Sequence, residues 1–254
     1  MSGYIPSLTK ITEHVASIEL RRPESANRLE IEDLAKVEEY VRICENDPKV
    51  RVIIFSSQGK YFSAGLDFKE LKNIAIRKTN NERAESDLER TANIVANTKL
   101  ITIASIQGPI FGGATDLVLA CDLRIGSFES SAQMPAAKIG LPLYPSAIER
   151  YVSNLGLTHA KRLILTGVSV SAEELLKIGF LSELVSASNL QDRAFQLAKM
   201  VSEFPFEPVS AMKKYINSIE KLEIGDRDQS RQDLSDSFDG AKIFERINNN
   251  RKPK

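Results

Sequence analysis

The sequence of 254 residues contains no tryptophan, two histidines and two cysteines. Two cysteines are too few for a disulfide framework, and because Cys44 and Cys121 lie in apolar helix-like stretches, we expect both to be small core residues. Neither His14 nor His159 has carboxylates at metal-ligand spacing, so no metal site is expected. The sequence also lacks a Walker phosphate loop, a dinucleotide fingerprint and a nucleophile elbow, which excludes the best-marked nucleotide and hydrolase sites.

The sequence also has no excess of either charge, because 34 basic side chains balance 34 acidic ones. A neutral surface gives no electrostatic reason to expect nucleic acid or a membrane as partner. The first residues do not have the basic start and apolar run of a signal peptide, and no apolar run approaches about 18 residues. We therefore expect a cytoplasmic protein.

Strand-like and helix-like segments alternate through the first half of the chain. Residues 11–20 predict a hairpin, and apolar residues at helical spacing predict a helix from Ile31 to Asp47. Continuous apolar runs beginning at Val50 and Leu100 predict strands that are covered on both faces. Residues 72–90 are polar and are interpreted as a mobile segment that leads into a helix. This order predicts an α/β fold with a mainly parallel sheet.

The pattern becomes helical after residue 140. Amphipathic segments occur near 190–203, 208–221 and 228–247, and the last two exceed what a completed sheet needs for cover. We therefore predict a core over residues 1–190, which contains the ligand site. Residues 191–254 are predicted to form a C-terminal helical region that serves in oligomerisation.

The segments that follow two of the predicted strands have the same order of residue types: an aromatic residue, small residues, a glycine and then an acid. They are "FSAGLD" at 62–67 and "FGGATD" at 111–116. If the two strands are neighbours, both loops open at the sheet edge where α/β folds bind ligands, and the amides of Leu66 and Gly113 converge on one oxygen. Such donors suit a developing negative charge. The alternative is a pair of tight turns with no ligand.

Several motifs together resemble the crotonase superfamily, the enoyl-CoA hydratase and isomerase family. They are "FSAGLD", "QGPIFGGATDLVLACDLRIGS", "IGL", "LTG" and "SAEELLKIGFLSELV", and the likeness runs from "IELRRPESANRLE" to "DGAKIFERINNNRKP". The resemblance implies a crotonase-like ββα spiral core followed by C-terminal helices. It also implies an acyl-CoA thioester as substrate, whose carbonyl is bound by Leu66 and Gly113 and whose enolate is stabilised there. Coenzyme A is part of the substrate, so no separate cofactor is expected.

The resemblance also implies substrate contacts and an assembly. The residues that it places against the thioester and the nucleotide are Ala26, Arg28, Ala64, Gly65, Leu66, Asp67, Phe68, Lys69 and Gly112. Arg28 or Lys69 is expected to meet a phosphate, and the alternative for each is a solvated surface cation. Family members form trimers and dimers of trimers, so a homotrimer or a dimer of trimers is expected.

Two positions depart from the family pattern. Family hydratases use a Glu in the glycine-rich helix and a second Glu twenty residues later, where this chain has Asp116 and Ala136. One carboxylate is shortened and the other is replaced by a methyl group, so ordinary hydration is expected to be crippled. Asp116 is a candidate acid or base, and its alternative role is to stabilise the positive end of its helix dipole.

Tyr144 occupies the loop in which some family isomerases and dehalogenases have their working carboxylate. Its ordinary pKa of about 10 makes it a poor base but allows it to donate a proton or hold a water. A family decarboxylase has a tyrosine one position earlier, although its companion histidine corresponds to Leu66 here. The alternative for Tyr144 is a wall of the acyl pocket, and Glu149 is expected on a helix surface.

The function expected from these residues is stabilisation of an acyl-CoA enolate. An isomerase-like or atypical hydratase reaction would use Leu66, Gly113 and Asp116. The alternatives are decarboxylation or thioester hydrolysis involving Tyr144, or a catalytically diverged acyl-CoA-binding protein.

Overall fold

The computed structural model describes residues 5–67, 69–70, 86–222 and 245. The strands in these ranges are β1 (Ser7–Lys10), β2 (Val15–Leu20), β3 (Val52–Ser57), β4 (Ile101–Ile106), β5 (Ile110–Phe111), β6 (Leu123–Ser127), β7 (Ser131–Gln133), β8 (Ser169–Ser171) and β9 (Glu183–Val185). The α-helices are α1 (Ile31–Asn46), α2 (Asp87–Asn97), α3 (Gly113–Leu119), α4 (Ala136–Ile139), α5 (Pro145–Thr166), α6 (Ala172–Lys177), α7 (Leu190–Ser202) and α8 (Phe206–Leu222).

The larger sheet has six strands in the spatial order β1, β2, β3, β4, β6, β9. Every neighbouring pair is parallel except the β1–β2 hairpin, so the predicted α/β class with a mainly parallel sheet is confirmed. The hairpin begins earlier than expected, because its first strand is Ser7–Lys10 and the turn takes the residues between Lys10 and Val15. A smaller sheet joins β5, β7 and β8.

The core lies on both faces of the larger sheet. All six residues of β4 are buried, as the continuous apolar run predicted. Helices α1 and α2 pack against each other over one face, and α7 covers the other by packing against β3 and β4. Leu190, Ala194 and Leu197 of α7 form a cluster there with strand residues. Residue 191, at which the C-terminal helical region was predicted to begin, therefore lies within α7, a helix that covers one face of the sheet.

The predicted helices mostly agree with the structure. The expected helix from Ile31 ends at Asn46, just before Asp47 and Pro48, and α7 and α8 match the segments predicted near 190–203 and 208–221. The predicted segment 228–247 and most of the polar stretch 72–90 lie outside the described residues. Both cysteines are free and buried, which confirms them as core residues. Among the described helices, none is long and apolar enough to cross a membrane.

Candidate functional site

The two glycine loops leave the adjacent parallel strands β3 and β4 and meet beyond the sheet. Backbone hydrogen bonds run from the Phe62 amide to the Pro109 carbonyl at 3.0 Å and from the Phe111 amide to the Ser63 carbonyl at 2.9 Å. Ser63 and Ile110 also form an isolated parallel bridge. The loops are therefore joined side by side at one edge of the sheet.

Gly65 allows the close approach of the two loops. Its φ of +82° lies in the left-handed region, and a Cβ atom there would lie 2.5 Å from the Phe111 carbonyl oxygen and 3.3 Å from the Gly113 nitrogen. Any side chain at position 65 would push the loops apart. The neighbouring Gly112 also has a positive φ, of +54°, and its amide donates to the Gln133 carbonyl at 2.9 Å.

The Leu66 and Gly113 amides lie at this junction. Hydrogen bonds on both sides fix Leu66, because the Leu29 amide donates to the Gly65 carbonyl and the Asp67 amide donates to the Leu29 carbonyl, each at 2.8 Å. Gly113 is the first residue of α3, where amides have no partner within the helix. Among the described residues, the Leu66 and Gly113 amides donate to no backbone carbonyl.

The segments predicted to bind the nucleotide lie beside each other. The Ala64 amide donates to the Ala26 carbonyl at 2.7 Å. Arg28 pairs with Asp67, with 3.0 Å between Nε and Oδ2, and also with Glu30. Lys69 is exposed, whereas Phe68 lies outside the described residues. Arg28 would have to give up part of these ion pairs to meet a phosphate, and the phosphate contacts stay predictions.

Asp116 lies in the first turn of α3, but it does not serve only as a helix cap. It is 1% exposed and forms a forked ion pair with Arg150: Nε donates to Oδ1 at 2.8 Å and Nη2 donates to Oδ2 at 2.7 Å. The Tyr144 hydroxyl also donates to Oδ2. The carboxylate that was expected to act as acid or base is therefore held by a cation and a phenol.

Tyr144 is partly buried and immediately precedes α5. Burial raises its pKa well above the ordinary value, and the nearby negative charge of Asp116 raises it further. Its hydroxyl therefore keeps its proton throughout the neutral range. The methyl group of Ala136 is buried at the start of α4 and supplies no second acid.

The comparisons with known proteins agree with this geometry. The sequence model of the enoyl-CoA hydratase/isomerase family matches residues 10–250. The chain belongs to this family. It is 33% identical over 193 residues to YngF of Bacillus subtilis, whose name places it among enoyl-CoA hydratases and isomerases, and the match covers 75% of this chain and 73% of YngF. It is 30% identical over 220 residues to (E)-benzylidenesuccinyl-CoA hydratase of Thauera aromatica, covering 83% and 81%.

The solved structures show the same crotonase fold. A methylmalonyl-CoA decarboxylase in complex with 2-nitronate-propionyl-CoA matches with a TM-score of 0.86 and 22% identity, over 98% of this chain and 97% of that one. Together with the family match, this fold confirms the resemblance to the crotonase superfamily. The chain is an acyl-CoA enzyme of the enoyl-CoA hydratase/isomerase family.

Sequence reasoning named Tyr144 but missed Arg150, the charged partner of Asp116. Arg150 lies 34 residues further along the chain, on α5, and it also donates from Nη1 to Asn93 of α2 at 2.9 Å. The available signal was periodicity, because Ala147, Tyr151 and Leu155 form a buried stripe on α5, and Arg150 follows Ala147 by three residues.

Two glutamates, Glu89 and Glu149, are also buried. Glu89 of α2 is 1% exposed and accepts a hydrogen bond from the Ser146 hydroxyl at 3.2 Å. The expectation that Glu149 lies on a helix surface is wrong, because it is only 8% exposed. The reason is that α5 packs against α2, α3 and α4, which covers more than one of its faces.

A cavity of about 660 Å³ is lined by residues of α2, α3, α5 and α8. Its wall includes Arg150 and Ser146, the end of α3, and apolar residues of α8 such as Met212. Neither Leu66 nor Gly113 lies on that wall. The volume of this cavity therefore does not by itself identify it as a thioester site. The Leu66 and Gly113 amides are a better indication of where a thioester would bind.

Proposed function

We propose that this enzyme binds the thioester carbonyl of an acyl-CoA at the Leu66 and Gly113 amides and stabilises the enolate formed there. The observation that supports this proposal is the junction at Gly65, where a Cβ atom would lie 3.3 Å from the Gly113 nitrogen, while within the described ranges neither amide donates to a backbone carbonyl. Fixed amides cost no reorganisation when the oxygen gains charge, which makes them effective in the transition state.

Replacing Gly113 with valine is expected to lower turnover of the substrate about 10²- to 10³-fold, the usual effect of losing one such donor. A Cβ at this position overlaps the Leu88 side chain and lies 3.8 Å from Leu66 Cγ. Steady-state kinetics and thermal unfolding of the purified variant measure the effect. Adding Leu88→Ala removes the overlap but leaves the valine over the donors, so turnover should stay low. Recovery in the double variant, or unchanged kinetics in the single one, would remove Gly113 from the site.

The reaction depends on how the enolate is formed. Hydration and isomerisation both need a general base, which takes a proton from water or from carbon. If Asp116 accepted that proton, the Arg150 guanidinium would remain buried without its counter-charge, which is strongly unfavourable. Decarboxylation of a malonyl-type thioester needs no base, because the departing CO₂ leaves its electron pair behind. We therefore propose decarboxylation as the reaction that the geometry supports best.

The steps of this reaction balance without a cofactor. The bond between the α-carbon and the substrate carboxylate breaks, CO₂ leaves, and the electron pair forms the enolate at Leu66 and Gly113. The Tyr144 hydroxyl then gives its proton to the α-carbon, because a thioester enolate is a far stronger base than tyrosinate. The tyrosinate regains a proton from water, and the product is the acyl-CoA shortened by CO₂.

A small panel of thioesters tests the proposal. The purified enzyme is incubated separately with malonyl-CoA, methylmalonyl-CoA, an α,β-enoyl-CoA and a β,γ-enoyl-CoA, and the products are identified by mass spectrometry and ultraviolet absorbance. We expect loss of CO₂ from a malonyl-type substrate. Water addition without loss of CO₂ would contradict the reaction, and tight binding without turnover of any thioester would favour the diverged binding protein.

Isomerisation is the second candidate, and Glu89 is the observation that favours it. This buried carboxylate contacts a neutral hydroxyl, and its charge acts on Tyr144. Under this alternative Glu89 would move the proton between the α- and γ-carbons. Glu89→Gln is then expected to lower isomerisation of a β,γ-enoyl-CoA about 10²- to 10⁴-fold, the range for loss of a general base. If decarboxylation is the reaction, the same variant should keep most of its turnover with a malonyl-type thioester.

A further inference from the structure

Arg150 is the cation that faces the Asp116 carboxylate. Two nitrogens of its guanidinium bind the two carboxylate oxygens, and the third binds Asn93, so helix α5 connects through it to both α3 and α2. Both side chains are nearly inaccessible, at 8% and 1% exposure. A planar fork held at all three nitrogens has little freedom to leave the carboxylate.

The other polar groups around Asp116 do not replace this charge. Tyr144 donates to the carboxylate, and Tyr151 of α5 shares a hydrogen bond with Thr115 at 2.5 Å. Glu89 of α2 adds negative charge near Tyr144. Within the described ranges, Arg150 therefore provides the only ion pair of Asp116.

This ion pair affects proton transfer. A guanidinium stays charged at every accessible pH, so protonation of Asp116 would leave an unpaired charge in a buried layer. The pair therefore opposes any step in which Asp116 takes a proton from the substrate. It also leaves Oδ2 anionic, which holds the Tyr144 hydroxyl with its proton in place.

We propose that Arg150 is a positioning residue that determines reaction specificity: it keeps Asp116 anionic and out of proton transfer, and it thereby makes Tyr144 the proton donor. The proposal rests on the proposed function, because it assumes that Tyr144 faces the substrate. The enzyme is then restricted to thioesters that form their enolate by losing CO₂. Thioesters without a carboxylate on the α-carbon keep their α-protons.

The first test uses the protein without substrate. In Arg150→Met the buried Asp116 has no counter-charge, and burial favours its neutral form. Infrared spectra at neutral pH should then show a protonated carboxyl band in Arg150→Met that is missing from the wild type and from the double variant with Asp116→Asn. Arg162→Met is the matched control, since it removes an exposed ion pair with Glu174 from the same helix and should add no such band. If Arg150→Met folds and shows no band, the proposal is overturned.

The second test concerns the reaction. The probe is butyryl-CoA in D₂O, and mass spectrometry follows exchange of its α-protons. At alkaline pH we expect at least tenfold faster exchange with Arg150→Met than with the wild type, and wild-type behaviour for Arg162→Met. Arg150→Lys keeps the charge and should remain slow, even if Arg150→Met does not fold. Fast exchange by Arg150→Lys or by the wild type would overturn the proposal.

The two tests separate this proposal from the proposed function. A wild-type protein that decarboxylates no thioester defeats the proposed function, while the infrared comparison still decides whether Arg150 keeps Asp116 anionic. Conversely, a wild type that decarboxylates its substrate and also exchanges α-protons rapidly keeps the function and loses the role of Arg150.

Discussion

Replacing Tyr144 with phenylalanine lowers the decarboxylation rate about 10²- to 10⁴-fold with little change in substrate affinity, if its hydroxyl is the proton donor. The reason is that phenylalanine preserves the ring that packs against the core and removes only the hydroxyl on Asp116. In the wild type, burial and the charge of Asp116 raise the pKa of Tyr144 above its ordinary value, so the rate should stay constant up to at least pH 10. Steady-state rates from neutral to alkaline pH measure both effects.

Tyr151→Phe is the matched control for this experiment. It removes a buried hydroxyl from the same helix region, but that hydroxyl binds Thr115, which keeps a second bond to the Gly112 carbonyl at 2.6 Å. We expect a modest loss of thermal stability and nearly unchanged turnover. Equal rates for Tyr144→Phe and the wild type would assign Tyr144 to the wall of the acyl pocket, the alternative that the sequence left open.

Replacing Asp116 with asparagine is expected to lower the free energy of unfolding by about 3–5 kcal/mol, because it leaves the buried Arg150 guanidinium without its counter-charge. The amide nitrogen of asparagine would also face guanidinium donors. Urea unfolding monitored by circular dichroism measures the change. Activity of the folded fraction then separates a catalytic role of Asp116 from a structural one.

The control for this loss is the double variant Asp116→Asn with Arg150→Met, in which neither charge is left unpaired. It should be more stable than Asp116→Asn alone, since a buried ion pair replaced by neutral side chains costs little. Glu174→Gln breaks the exposed pair with Arg162 and should cost no more than about 1 kcal/mol. A small stability loss together with a large loss of turnover for Asp116→Asn would make Asp116 an acid or base and contradict our account.

The sequence was sufficient to predict the meeting of the two glycine loops. Continuous β-branched runs marked β3 and β4 as buried parallel strands, and parallel neighbours end at the same edge of a sheet. The loops that follow them were therefore expected to open together if the two strands were neighbours, and the pairing of β3 with β4 meets that condition. The glycine in "FSAGLD" lies where the two loops approach closely, because a Cβ atom at Gly65 would lie 2.5 Å from the Phe111 carbonyl oxygen. These inferences succeeded because they depend on local pattern and strand order alone.

The surroundings of Asp116 could not be predicted in the same way. Its partner Arg150 belongs to a helix that packs against α3 only in the folded chain, and the neighbouring Glu149 was expected on a helix surface. Glu89 lies four residues after Glu85, at the end of a polar stretch interpreted as mobile. Glu89 follows Ser86 by three residues, as at an ordinary helix start, where the Ser86 hydroxyl oxygen accepts a hydrogen bond from the Glu89 amide. Periodicity along α5 could place Arg150 beside a buried stripe, but it could not identify Asp116 as its partner, because that contact depends on packing between helices.

The pairing of Leu29 with the loop at Leu66 has a mechanical consequence. The two hydrogen bonds on either side of Leu66 join the backbone before α1 to the loop that contains Leu66. The direction of the Leu66 amide is thus set by the position of the residues that precede α1. A bound nucleotide that moved residues 26–29 would therefore also tilt the Leu66 amide. Nucleotide binding and the orientation of this donor would then be coupled.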